Sequence, residues 1–143
     1  MEMPISTHHI ETITVEKSQL ASSMKSGTVD VFATPFMIAL MEYAAMRLIA
    51  PALPEGVTTV GTLVNITHTA PTLEGTTVRA EAELLESDGR RFVFRVTAFD
   101  EAGVIGEGFH ERCSVKSDRF LQKAAERRDN APAACNNGDS GAK

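Results

Sequence analysis

The chain has 143 residues, 43% of them hydrophobic, which suits one domain with a real core. Its formal charge of −5 and isoelectric point near 5.3 exclude a nucleic-acid binder, because no basic cluster is available to track phosphates. Cys113 and Cys135 form neither a disulfide framework nor a metal-ligand spacing, and the N-terminus lacks the basic and apolar regions of a secretory signal, so a reduced, cytoplasmic setting is expected.

Residues 1–8 read as a flexible leader. Strand-like alternation follows over Ile10–Val15, with apolar residues on both faces. The Ser- and Gly-rich stretch Ser18–Asp30 reads as a long connection, a turn or lid near a site. Thr34-Pro35 starts a helix, with the threonine as cap and proline at the first helical position. The helix runs to about Ala50, before Pro51 and Pro54. It is apolar nearly all round, so it should be wrapped rather than merely docked. The run Val31–Ala50 is long enough to suggest a membrane span, but Pro35, Glu42 and Arg47 inside it favour a buried helix with no membrane partner.

After Pro54-Glu55-Gly56 the apolar period becomes two. The spacing predicts strands over Thr58–Ala70, Thr76–Glu86, Arg90–Asp100 and Val104–Val115, with a hairpin at Asp88-Gly89 and a turn at Asp100–Gly103. In the middle strands Val78, Ala80, Ala82 and Leu84, then Phe92, Phe94, Val96 and Ala98, face one way, the mark of an antiparallel sheet covered on one face. Ser117–Arg128 reads as a short terminal helix, and 129–143 as a disordered tail. The expectation is one α+β domain over 9–128, with an antiparallel sheet wrapped around one long central helix, the hot-dog fold. A lone copy leaves a sheet edge uncovered, so a homodimer is expected, which can pair again into a tetramer.

Three residues carry the chemistry. Glu42 lies in the longest apolar run, where a carboxylate is costly unless paired or neutralised. Strand parity puts His68 on the face of Val64 and Ile66, toward the helix. Thr34 and Glu42 are about 80° apart around the helix axis and roughly 12 Å apart along it, so they can border one cavity, and a crossing strand would bring His68 between them. Such a trio suits hydrolysis of an activated acyl group. Glu42 activates water or attacks the carbonyl, His68 polarises the carbonyl or protonates the leaving group, and Thr34 positions either. Taken singly, each has a structural alternative: a hydrogen-bonded buried Glu, a core His, a helix-capping Thr.

Four separated blocks occur in order: Val31 to Glu42, Val60 to Ala70, Asp88-Gly89-Arg90-Arg91, and Ile105 to Arg112. Together they resemble the fluoroacetyl-coenzyme A thioesterase family over about residues 30–120. The resemblance implies a dimeric hot-dog enzyme that cleaves acyl-coenzyme A (acyl-CoA), with Thr34, Glu42 and His68 catalytic. It also implies Gly61 as a backbone donor beside the acyl group, Arg112 near the ligand, and no metal or redox cofactor. Arg112 and Arg90 suit the phosphates of coenzyme A (CoA). Ser26–Asp30 carries no aromatic residue where the fluoroacetyl-specific enzyme places apolar bulk, so another short or medium acyl group is expected. His110-Glu111-Arg112 reads as an ion-paired strand end. The same scaffold also supports a non-catalytic acyl-CoA binding or sensing module, or a hydratase.

Overall fold

The computed structural model describes residues 7–132. Strand β1 (His8–Thr14) is followed by a short helix α1 (Ala21–Met24) and the long helix α2 (Thr34–Ile49). Strands β2 (Val57–His68), β3 (Thr77–Ser87), β4 (Arg91–Asp100) and β5 (Gly103–Lys116) then lead to helix α3 (Ser117–Asp129). His8 is already paired with Glu83 and Asp129 closes α3; the rest of the expected leader and tail, apart from Thr7 and residues 130–132, lies outside the described residues. The connection over Ser18–Asp30 contains α1 and a 3-10 turn, and is pinned at both ends by bridging of Leu20 with Phe32.

All pairings are antiparallel, in the order β1-β3-β4-β5-β2. Period-two alternation decides which face is dry. Val78, Ala80, Ala82 and Leu84 of β3 and Phe92, Phe94, Val96 and Ala98 of β4 are buried against α2. Alanines at the cross-strand pair Ala80–Ala98 leave room for the helix, whose Met37, Leu40, Met41, Ala44, Ala45, Leu48 and Ile49 fill it. Gly106 serves the same approach: a Cβ there would lie 2.7 Å from the Met37 sulfur. The sheet wrapped on one long helix is the hot-dog arrangement.

Two expectations change. Within one protomer α2 is not wrapped on all sides, since Pro35, Ala39, Tyr43 and Arg47 form an exposed stripe at every fourth position. Arg47 reaches from it to Glu11 (3.4 Å) and to the Tyr43 hydroxyl (3.0 Å). Nor does Thr34 cap the helix. The cap residue is Ala33, with no side-chain cap; Thr34 is already helical and its hydroxyl turns elsewhere.

The strand β2 departs from simple alternation. Its register against β5 slips between Gly61 and Leu63, so Thr62 is an extra residue. Before the bulge Thr59 and Gly61 face the helix; after it Ile66 and His68 do. Simple parity along β2 would also put Val60 and Thr62 on the His68 face; they do not share it, because one extra residue inverts the alternation.

Candidate active site

The structure gathers the expected residues into two groups. In the first, Thr34 at the start of α2 meets His68 at the end of β2, with Thr34 Oγ1 2.7 Å from His68 Nδ1. His68 Nε2 is buried and has no hydrogen-bond partner, the one such side-chain atom among the described residues. Burial holds the imidazole below its usual pKa; the Ala70 backbone opposes that shift without supplying Nε2 a partner. The ring is therefore neutral at pH 7. A threonine hydroxyl donating to Nδ1 leaves the proton on Nε2, an unengaged donor.

The second group surrounds Glu42, on the third turn of α2. Its carboxylate packs against Gly61, where a Cβ would fall 2.6 Å from Glu42 Oε2. Only a residue without a side chain lets the strand pass this close. Arg112 Nη1 lies 3.8 Å and His110 Nε2 3.9 Å from the same oxygen. Arg112 is itself buried and held by Thr59, through its hydroxyl (2.8 Å) and its carbonyl (2.9 Å). His110 Nδ1 donates to the Leu63 carbonyl (2.8 Å), so Nε2 is free to accept from Arg112 (3.1 Å). Burial, with the Leu63 contact opposing and Arg112 adding, keeps His110 below its ordinary pKa. The Glu42 side chain is 40% exposed in the single protomer, so it is less withdrawn from water than its apolar surroundings suggest. Glu42, Tyr43, Met46, Gly61 and Arg112 line a pocket of about 410 Å³.

The two groups do not meet within one chain. Thr34 and Glu42 are about 12 Å apart along α2, and Gly61 and His68 roughly 20 Å apart along β2. The imidazole beside Glu42 is His110, not His68. The trio His110-Glu111-Arg112 splits by parity. Glu111 points outward to Arg91 (2.8 Å) as an ion pair, while His110 and Arg112 point inward. Alternation with the buried Phe94, opposite His110, was the signal that could have placed it. Arg90, at the β3–β4 hairpin that Asp88 ties through the backbone N–H groups of Arg90 and Arg91, lines a different cleft. Among the described residues no three His, Cys, Asp or Glu side chains gather as metal ligands.

Comparisons with known proteins give the family and the fold. The family described as fluoroacetyl-CoA-specific thioesterase matches residues 15–118. The fluoroacetyl-CoA thioesterase of Streptantibioticus cattleyicolor is 44% identical over 98 residues, 68% of this chain and 70% of that protein. A solved structure of fluoroacetyl-CoA thioesterase superposes with a TM-score of 0.84 at 34% identity, over 92% of this chain and 100% of that one. A Thermus thermophilus hypothetical protein, a thioesterase superfamily member, does so with a TM-score of 0.81 at 29% identity, over 91% of this chain and 98% of that one.

Proposed function

Because the chain belongs to the fluoroacetyl-CoA-specific thioesterase family, we propose that it hydrolyses a short or medium acyl-CoA to the free acid and CoA, in a site completed by two protomers. The observation that carries the shared site is the separation of the two groups on a strand with an open edge. The strand β2 ends the sheet order, and Leu63 (49% exposed) and Val64 (44%) stand uncovered on it. Two copies pairing β2 antiparallel about a two-fold axis at Asn65, with Thr62 as the extra residue, set Gly61 opposite the partner's His68. Same-facing residues then oppose each other, as a two-fold normal to the sheet requires. Glu42 of one chain thereby approaches Thr34 and His68 of the other, and the exposed stripe of α2 gains a covering.

In that site Glu42 delivers the nucleophile. It attacks the acyl carbon directly, giving an anhydride that water opens, or it takes the proton of an attacking water. Gly61 allows the carboxylate and the thioester to approach and offers its backbone N–H to the carbonyl oxygen. The partner's His68, a neutral ring whose tautomer Thr34 fixes, keeps its Nε2 proton and holds it in a hydrogen bond to the carbonyl oxygen as charge builds there; the C–S bond then breaks and the departing thiolate takes its proton from the water that is consumed. Arg112 holds positive charge beside Glu42. No metal or redox cofactor has a role. The exposed segment over 22–30, with no aromatic residue, supports an acyl group other than fluoroacetyl.

The test is complementation. E42Q and H68A should each lower thiol release from acyl-CoA about a hundredfold or more. Unfolding and refolding the two together should restore about a quarter of wild-type activity, since half the dimers are mixed and each mixed dimer has one intact site. Activity that stays at the level of the separate variants would place the whole site within one chain. Full activity in either single variant would remove that residue from the mechanism.

A further inference from the structure

One buried ring lies beside both Glu42 and Arg112 and takes no part in the chemistry proposed for them. His110 is 1% exposed, points inward from β5 and stacks on Phe94, with ring centroids 6.1 Å apart. We propose that His110 is a positioning residue for the hydrolysis: by accepting a hydrogen bond from Arg112 it holds the guanidinium in ion-pair range of Glu42 yet off its oxygens, so the carboxylate stays free to attack. The proposal rests on the thioesterase reading of the same pocket.

Three observations converge. The first is the direction of the ring. The carbonyl of Leu63, one residue past the bulge at Thr62, lies 2.8 Å from His110 Nδ1. A carbonyl only accepts, so Nδ1 carries the proton, and burial keeps the ring neutral at pH 7. Nε2 is then a bare lone pair. It cannot donate to Glu42 Oε2, 3.9 Å away, and it accepts from Arg112 Nη1, 3.1 Å away.

The second is where the Arg112 donors go. A guanidinium offers five N–H groups in one rigid plane. Thr59 takes two of them, on the Nε and Nη2 edge, at 2.8 and 2.9 Å. His110 takes a third, on Nη1. The plane is thus pinned from β2 on one side and from β5 on the other, and Thr59, His110 and Arg112 are all buried. Thr59 alone would hold one edge and leave the plane free to tilt toward the carboxylate.

The third is the distance that results. Arg112 Nη1 stops 3.8 Å from Glu42 Oε2, about 1 Å beyond a charge-assisted hydrogen bond. A guanidinium that closed this gap would occupy the lone pairs that attack on the acyl carbon, or on a water, requires. Held back, it balances the charge and leaves those lone pairs open. An apolar ring could stack on Phe94 as well, but would offer Arg112 no acceptor.

Two substitutions separate the roles of the two ring nitrogens. H110N supplies an amide N–H to Leu63 but is too short to meet Arg112. H110Q reaches Arg112 with its amide oxygen and gives up the Leu63 bond. Steady-state acyl-CoA hydrolysis and crystal structures are compared for both full-length variants, and nitrogen NMR reads the ring tautomer in the wild type. In H110N the guanidinium should close on Glu42 to about 2.8 Å, with kcat about tenfold lower and KM within about twofold. H110Q should keep the gap and stay within about threefold of the wild-type kcat, although it is the variant that loses a buried bond. A ring with a purely structural role gives the opposite order. H110N with wild-type kcat or with the gap still open, or H110Q impaired as much as H110N, overturns the proposal while leaving the thioesterase intact. So does a wild-type ring with its proton on Nε2 at pH 7, a reading that needs no variant to fold. Wild-type protein with the proton on Nδ1 that releases no thiol from any acyl-CoA overturns the thioesterase reading instead.

Discussion

At the scale of single residues, the site depends on what Gly61 lacks. A methyl group there meets the Glu42 carboxylate at 2.6 Å, so G61A must push the carboxylate aside. The expected outcome is a fall in kcat/KM of about tenfold or more with a thermal midpoint within a few degrees of wild type, since the severe clash falls on the half-exposed Glu42 side chain and the buried His110 ring, at 3.1 Å, need give only slightly. Kinetics and calorimetry on the same sample check it. Thr34, Glu42 and His68 could be singled out in the sequence by their positions on the helix and the strand, and Gly61 and Arg112 only through the family resemblance, but the grouping of Thr34 with His68 and of Glu42 with Gly61 and Arg112 could not. His110 was not legible, because a histidine beside a glutamate and an arginine on a strand has the look of surface charge, and only the buried position of its neighbour Phe94 shows which way it points.

The two inward histidines also set a pH dependence. Burial lowers the folded pKa of both His68 and His110 below 6.5, so around that pH the unfolded chain binds more protons than the folded one. The stability they contribute is complete above about pH 6.5 and is lost as pH falls below it. The carboxylates held low, Asp88 and Glu111, have the same sign but act below their ordinary values of 3.8 and 4.5. Denaturant midpoints should therefore be level between pH 8 and 7 and decline from 6.5 to 5, and H110N should flatten that decline. An unchanged slope in H110N would mean that the ring does not titrate on unfolding.

At the scale of elements, the strands β3 and β4 and the helix α2 were readable almost to the residue, because each has one strong period and clear stops. The strand β2 was readable as a strand but not as a surface. Its bulge at Thr62 leaves no compositional mark, and one extra residue changes which side chains face the helix. The open edge of the same strand predicts its own test. V64D adds a charge to an exposed position near the proposed axis, where two copies oppose each other. Sedimentation should show monomers and thiol release should fall about a hundredfold, with far-UV circular dichroism unchanged. A dimeric, active V64D would rule out pairing through β2.

At the scale of the whole molecule, the proposed pairing of β2 gives each chain one half of two different sites. Glu42, Gly61 and Arg112 form one end, and Thr34 and His68 the other. On that proposal the bare stripe of Pro35, Ala39, Tyr43 and Arg47 on an otherwise apolar helix is the face that a second copy covers, and the chemistry falls at the contact between chains.

The unpartnered Nε2 of His68 has a last consequence. Leaving a buried polar atom unbonded costs about 1–3 kcal/mol, a deficit the native fold carries as long as the site is idle. The first carbonyl oxygen to arrive as an acceptor ends it. Recognition is thereby weighted toward molecules that bring a carbonyl to that nitrogen, and a thioether of the same shape, lacking the oxygen, inherits the deficit instead of relieving it.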